Sequence, residues 1–294
     1  MRRATPPPPD DTVTPTRLAL LTALAMSAFA GNSILCRLAL KGSATDPASF
    51  TVVRIVTGAL VLAVLVWLRH RERPWSAGCW AGAAALSLYA VAFSFAYVRL
   101  SAGSGALLLF GAVQSSLLGY GLWNGERLSA LALGGFATSI AGLLFLLLPG
   151  SSAPHLGSAL LMVCAGAAWG WYTVLGRGGG DALRITAGSF LRAVPIVVAV
   201  AVPFLPALRI DASGALCAAL SGAVASGIGY TIWYQAVPHL SALRASAVQL
   251  SVPILSAIAG VVLLAEPLTL RLGVASVAVL GGIALVLAAR ERSR

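Results

Sequence analysis

Ten apolar runs, each about 20 residues long and set apart by short polar breaks, dominate this chain. They lie at 18–40, 48–69, 78–98, 102–123, 129–148, 157–177, 185–206, 213–236, 242–264 and 269–289. A helix needs roughly 17–25 apolar residues to cross the hydrocarbon core of a bilayer. In that solvent every backbone amide must find its partner within its own helix or within a closed barrel. Barrel strands would read as short alternating segments. Continuous runs therefore predict an all-α integral membrane protein with ten transmembrane helices. Only 10% of the residues are charged, against about 25% in soluble domains, so lipid rather than water is the natural solvent.

The first run follows a basic, proline-rich start, MRRATPPPPDD. It is too long for a cleaved leader and nine more runs follow, so it reads as a first transmembrane helix. Four consecutive prolines cannot join a helix interior, which leaves residues 1–15 as a disordered cytoplasmic tail and 291–294 as a short C-terminal one.

The net charge of +11 does not gather in a polar face or tail, as it would in a nucleic-acid binder. It is spread between the runs. With the N-terminus inside, thirteen of the twenty Lys and Arg residues fall on the inner side and five on the outer. Arg54 and Arg192 fall within spans. The positive-inside rule then places both termini in the cytoplasm. Cys36, Cys79, Cys164 and Cys217 show no CxxC spacing, so neither a metal site nor a disulfide frame is implied, and no cofactor is. The partners implied are the lipid bilayer and a small-molecule substrate; nothing in the sequence sets an oligomeric state.

A shift of 140 residues lays the chain on itself without a gap. It puts Arg37 on Arg177, Ser49-Phe50 on Ser189-Phe190, Phe93 on Trp233, Ser116 on Ser256, Glu126 on Glu266 and Gly142 on Gly282. From 17 to 147 about 25 of 131 pairs are identical, where Ala and Leu richness alone would give roughly half that number. Residues 16–149 and 150–290 thus form two repeats of five spans each. An odd number of spans makes the second repeat enter the membrane from the opposite side. Two inverted five-helix repeats around a central cavity are a transporter architecture, with the substrate expected near the midplane.

The stretches GALLLFGAVQSSLLGYGLWNGERLSALALGGFATSIAGLLFLLL and ASAVQLSVPILSAIAGVVLLAEPLTLRLGVASVAVLGGIALVL resemble the fourth and fifth, and the ninth and tenth, helices of the drug/metabolite transporter superfamily in its EamA-type branch. AGAAWGWYTVLGR at 165–177 resembles its sixth helix. The first helix departs: Phe29-Ala30-Gly31-Asn32 stands where the family often has a tryptophan-glycine pair. The resemblance covers nearly the whole chain. It implies a basket of helices around a central cavity in a cell's inner membrane, and export of amino acids or similar small metabolites by alternating access.

Candidate cavity residues are the mid-span aromatics and amides. Tyr89, Phe93 and Tyr97 are four apart in the third span and share a face. Trp169 and Tyr172 lie on one side of the sixth, and Tyr230, Trp233 and Tyr234 form a patch in the eighth. Such rings can grip an apolar or cationic solute or serve as packing and interfacial belts. Tyr97, near a span end, fits the belt. Asn32, Gln114 and Gln249 are mid-span amides, suited either to a zwitterion or to interhelical hydrogen bonds. Arg54 and Arg192 lie one to two turns inside their spans. Snorkelling is the simpler reading; an anion contact is the alternative, and would make the protein an organic-anion or sugar-phosphate carrier.

Two motifs, GERLS at 125–129 and AEPLT at 265–269, place Glu126 and Glu266 where a helix begins. They read as helix-start markers, since the free amides and dipole there favour an acid, and Pro267 suits a first turn. No span interior holds Asp or Glu, so no buried carboxylate is available for proton relay. An in-membrane nucleophile with a base is missing too, which argues against an enzyme. GRGGGD at 176–181 lacks the lysine and strand of a phosphate loop and reads as a flexible cytoplasmic connection.

Overall fold

Most helices among the described residues start where a side chain can accept an orphan amide of the first turn; the one at Ser251–Leu264 follows Leu250 and has no such cap. In the computed structural model, which describes residues 14–71, 73–125, 129–150, 153–176, 181–236, 239–240, 245 and 248–292, Thr14 caps α1 (Pro15–Gly42). Asp46 caps α2 (Pro47–His70), accepting from Ala48 N at 2.8 Å and Ser49 N at 3.0 Å. Cys79 and Ser101 cap α3 (Trp80–Tyr97) and α4 (Ala102–Trp123). Ser129 caps α5 (Ala130–Leu147), and His155 caps α6 (Leu156–Leu175). Asp181 caps α7 (Ala182–Ala201), which tightens into a 3-10 turn at Val202–Ala207. Proline at the first helical position fits α1 and α2, because its missing N–H would be unpaired there anyway.

The eighth span is not one regular helix. It begins as α8 (Ala212–Leu220), widens into a π-helical segment at Ser221–Ile228 and resumes as α9 (Gly229–Ala236). The chain ends in α10 (Ser251–Leu264) and α11 (Leu270–Arg292). Nine helical segments among the described residues are long and apolar enough to cross a membrane. The ninth predicted span, 242–264, is described as a continuous helix only from Ser251. The N-terminal tail to residue 13, Glu126, the 177–180 connection and the Tyr234 side chain lie outside the described residues.

Packing joins α5 to α11, α3 to α6 and α2 to α7 along their lengths. Small residues set the closest of these contacts. A Cβ on Gly142 would stand 3.0 Å from the Val279 side chain, and one on Gly282 would press on the Ser139 side chain at 2.5 Å. Ser139 Oγ donates to Val279 O at 3.2 Å in the same crossing. Without a hydrophobic drive between helices in lipid, such close approach is the main source of association.

The loops before α2 and α8 clasp each other. Asp46 N donates to Arg209 O at 2.9 Å, and Arg209 N returns a bond to Asp46 Oδ2 at 2.7 Å. Thr45 Oγ1 donates to Asp211 Oδ1 at 2.8 Å, and Asp211 also caps α8 through Gly214 N. These hydrogen bonds, led by the Gly214 amide and the Thr45 hydroxyl, hold the Asp211 carboxyl below the usual carboxylate range. At Asp46 burial pushes upward, and bonds from Ser49 and the Arg209 amide outweigh it, so its carboxyl too is lowered.

Candidate functional site

The helices enclose a cavity of about 440 Å³. Its lining reaches one end of the bundle, at Cys79, Leu117, Gly176 and Ala182. Toward the other end it stops at Ser33 on α1, Phe93 on α3 and Leu109 on α4. Among the described lining residues none is charged.

The nine candidate residues come together here. Asn32, Tyr89 and Phe93 line the wall made by α1 and α3. Gln114, Trp169 and Tyr172 come from α4 and α6, Tyr230 and Trp233 from α9, and Gln249 precedes α10. Phe29 belongs with them. Its ring stands 5.6 Å from Tyr230 and 6.1 Å from Trp233, edge to face in both cases. Trp169 lies between Tyr89, at 4.9 Å, and Tyr230, at 5.2 Å. Ser33, Thr173, Thr186, Ser189 and Ser226 add hydroxyls to the lining that reading by residue type did not single out. Small residues recur throughout the chain, and only their placement distinguishes these five.

A polar chain runs behind the rings. Ser221 Oγ, in the π segment, donates to Asn32 Oδ1 at 2.5 Å. Asn32 Nδ2 donates to the Tyr89 oxygen at 3.4 Å, and Arg54 Nη2 donates to the same oxygen at 3.1 Å. Four spans are thereby tied together by side chains alone. A π segment leaves its turn wide and is common at functional positions.

Arg54 corrects the snorkelling expectation. It is 1% exposed, with its guanidinium carbon 5.2 Å from the Tyr89 ring centre and 4.9 Å from that of Phe93. Distance from a helix end suggested an easy route to the interface, but α3 stands across it. Arg192 behaves differently. It donates to Ala77 O at 2.7 Å, Trp75 O at 3.1 Å and Gly188 O at 3.1 Å. It fastens the connection before α3 to α7 and is not part of the cavity lining, so the alternative of an anion contact gains no support at Arg192. Tyr97 is also corrected. It is fully buried, its hydroxyl donates to Ala102 O at 3.4 Å, and its ring occupies the space left by Gly105.

Comparisons with known proteins agree with this architecture. Residues 156–288 match the EamA-like transporter family. An uncharacterized protein of Pseudomonas aeruginosa is 59% identical over 93% of this chain and 96% of its own length. An uncharacterized transporter of Archaeoglobus fulgidus is 30% identical over 70% of this chain and 75% of its own. The chain belongs to the EamA-like transporter family. It is a multi-pass membrane transporter, within the drug/metabolite transporter superfamily, and not an enzyme. A probable terminal-alkyne amino-acid exporter of Streptantibioticus cattleyicolor is 29% identical to this EamA-like transporter, over 71% of this chain and 73% of its own. One crystal structure of a protein superposes with a TM-score of 0.65 at 18% identity, covering 93% of this chain and 98% of that one, and shows a shared fold.

Beyond Phe93, where the cavity lining stops, Glu266 ties this end of the EamA-like transporter together. Its Oε1 pairs with Arg37 Nε at 2.9 Å, and its Oε2 accepts from Ala102 N at 2.7 Å. Arg37 Nη1 donates further to Tyr97 O at 2.9 Å and Val98 O at 3.0 Å. Glu266 does sit near a helix start, but the amide it receives is that of α4 and not of the helix that follows it in sequence. That helix, α11, begins at Leu270, and Thr269 Oγ1 accepts from Leu272 N at 3.1 Å. Ser129 caps α5 through Ala132 N at 3.2 Å in the same way. The hydroxyl residue of each motif is the cap. Glu266 is free for the ion pair, and Pro267 precedes α11 rather than lying in its first turn. A buried carboxylate therefore does exist, at the sealed end.

Proposed function

We propose that the protein exports amino acids or closely similar small metabolites across a cell's inner membrane by alternating access. The observation that carries this reading is a cavity of rings and amides that reaches one end of the bundle while the Arg37–Glu266 pair bars the other. Rings suit an apolar side chain or an ammonium, and uncharged amides suit a zwitterion. The name of the Streptantibioticus relative supports the same substrate class.

In this reading residues 16–149 and 150–290 are inverted halves. Support comes from reciprocal packing: Gly142 on Val279 and Gly282 on Ser139 exchange under a shift of 140. The charges repeat as well, Arg37 and Glu266 having Arg177 and Glu126 at that spacing. Both termini lie in the cytoplasm, following the excess of inner Arg. The end of the cavity at Cys79 and Gly176 then faces the cytoplasm, ready to load a solute for export. The two halves rock about Asn32, Gln114, Trp169, Tyr230 and their neighbours, opening the Arg37–Glu266 end as the other closes.

Counterflow in proteoliposomes tests this. Amino acids, phosphorylated sugars and nucleosides are offered in turn, with and without proton and sodium gradients. Saturable exchange of one or more amino acids is the expected result. Movement of no amino acid under any gradient overturns the reading.

A further inference from the structure

The charge on Arg54 is not accounted for by its surroundings. Nε and Nη1 have no hydrogen-bond partner, and among the described residues no carboxylate pairs with it. Its neighbours are the rings of Tyr89 and Phe93, the two aromatic residues of α3 that line the cavity. A guanidinium in this setting normally has an acceptor for each face of its fork. Arg54 itself stands behind the cavity lining and reaches it through Tyr89, a lining residue to whose oxygen it donates.

We propose that Arg54 and Tyr89 together form the receptor for a carboxylate on the transported solute. The Tyr89 oxygen already accepts from Arg54 and from Asn32. Its own O–H is then the donor it has left to give, on a wall that the solute reaches. A cation bonded to that oxygen makes the O–H a stronger donor and favours an anion as its acceptor. Ser221 holds the Asn32 carbonyl at 2.5 Å, which turns the amide N–H groups toward Tyr89. Beside this corner, with the Trp169 ring 4.9 Å from that of Tyr89, the cage of Phe29, Trp169, Tyr230 and Trp233 takes the apolar side chain or the ammonium. A single cation behind the wall suits a carboxylate better than a dianionic phosphate, and Arg192, bonded to three carbonyls, does not supply a second one.

The assignment rests on the export reading for its substrate class but can fail separately from it. Four probes differ only at their ends: L-phenylalanine, 3-phenylpropanoate, phenethylamine and L-phenylalanine methyl ester. A leucine series is run in parallel. Binding to the full-length protein is followed by tryptophan fluorescence, and movement by counterflow. The two probes that keep the carboxylate should bind at least about tenfold better than the amine and the ester, as loss of a charged hydrogen bond requires. Tyr89→Phe keeps the ring and the buried arginine and should reduce that preference to less than about threefold. Arg54→Gln should do the same, Arg54→Lys should keep part of it, and Arg192→Gln should keep it whole. If Arg54→Gln fails to fold, Tyr89→Phe decides.

Equal binding of acid, amine and ester overturns the assignment. So does an unchanged preference in Tyr89→Phe, stronger binding of phosphorylated sugars, or no binding of either series. Carboxylate-dependent binding with no flux leaves the receptor standing and overturns export. Flux without carboxylate preference does the reverse.

Discussion

Arg37 and Glu266 are paired at 2.9 Å, with side chains only 12% and 6% exposed. They come from α1 and from the connection between α10 and α11, 229 residues apart in sequence. The pair also holds the start of α4 through Ala102 N and the end of α3 through Tyr97 O. One ion pair therefore joins four segments at the sealed end.

Removing one partner leaves the other charge buried, a change that costs about 3–5 kcal/mol where burial is complete. Arg37→Met should fall near that range and lower the melting temperature of the detergent-solubilised protein. Glu266→Gln should cost less, because an amide oxygen can still accept from Ala102 N. The double variant should lose less than the sum of the two, as residues in direct contact do.

Cysteine labelling should report which end is open. Cys79 is exposed at the end that the cavity lining reaches, and Cys36 is fully buried beside Arg37. In vesicles of known orientation, a variant keeping only Cys79 should react with an impermeant maleimide from the face the cavity meets. A variant keeping only Cys36 should stay unlabelled until Glu266→Gln is added. Fast labelling of Cys36 with the ion pair intact would contradict the seal.

The α5–α11 crossing should tolerate no added side chain. A Cβ on Gly135 would stand 2.6 Å from Gly282 O, a backbone atom that cannot swing aside. Overpacking of this kind costs about 1–3 kcal/mol. Gly135→Val should lower membrane expression and melting temperature. Gly134→Val, next to it with open space around its Cβ, should be nearly silent.

Acid should loosen the clasp between the loops before α2 and α8. Asp46 and Asp211 have carboxyls lowered by their hydrogen bonds in the folded state. A depressed folded value gives stability that is fully present above the unfolded value of about 3.9 and lost as pH falls through the folded one. Melting temperature should stay level from neutral pH to about 5 and drop below about 4. Asp211→Asn should flatten part of that drop while lowering the neutral plateau.

Spans were legible because hydropathy is a local property. The third run at 78–98 became Trp80–Tyr97, and the fifth at 129–148 became Ala130–Leu147. The cavity face was legible too, since fourfold spacing on α3 puts Tyr89 and Phe93 together whatever lies opposite. What sequence did not carry was the identity of the neighbour. Arg54 and Arg192 sit at similar depths, and only the helix packed against each separates a buried cation from a loop fastener. Glu266 looked like a cap for its own helix because its partners, Arg37 and Ala102, are 229 and 164 residues away. The π segment at Ser221–Ile228 left no signal beyond a cluster of Gly and Ser.

That widened segment has a further effect on the cavity. At a spacing of 140, Tyr89 falls on Gly229 and Tyr230 on Ala90, so the two phenols are one residue out of step. A π turn holds about one residue more than an α turn, and it lets Tyr230 face inward despite the offset. The opposing walls are consequently unlike. One carries the Tyr89 phenol bonded by the Arg54 guanidinium, and the other carries Tyr230 among the rings of Phe29, Trp169 and Trp233. If Arg54 and Tyr89 receive the carboxylate as proposed, a chamber with unlike walls tells a solute's head from its tail.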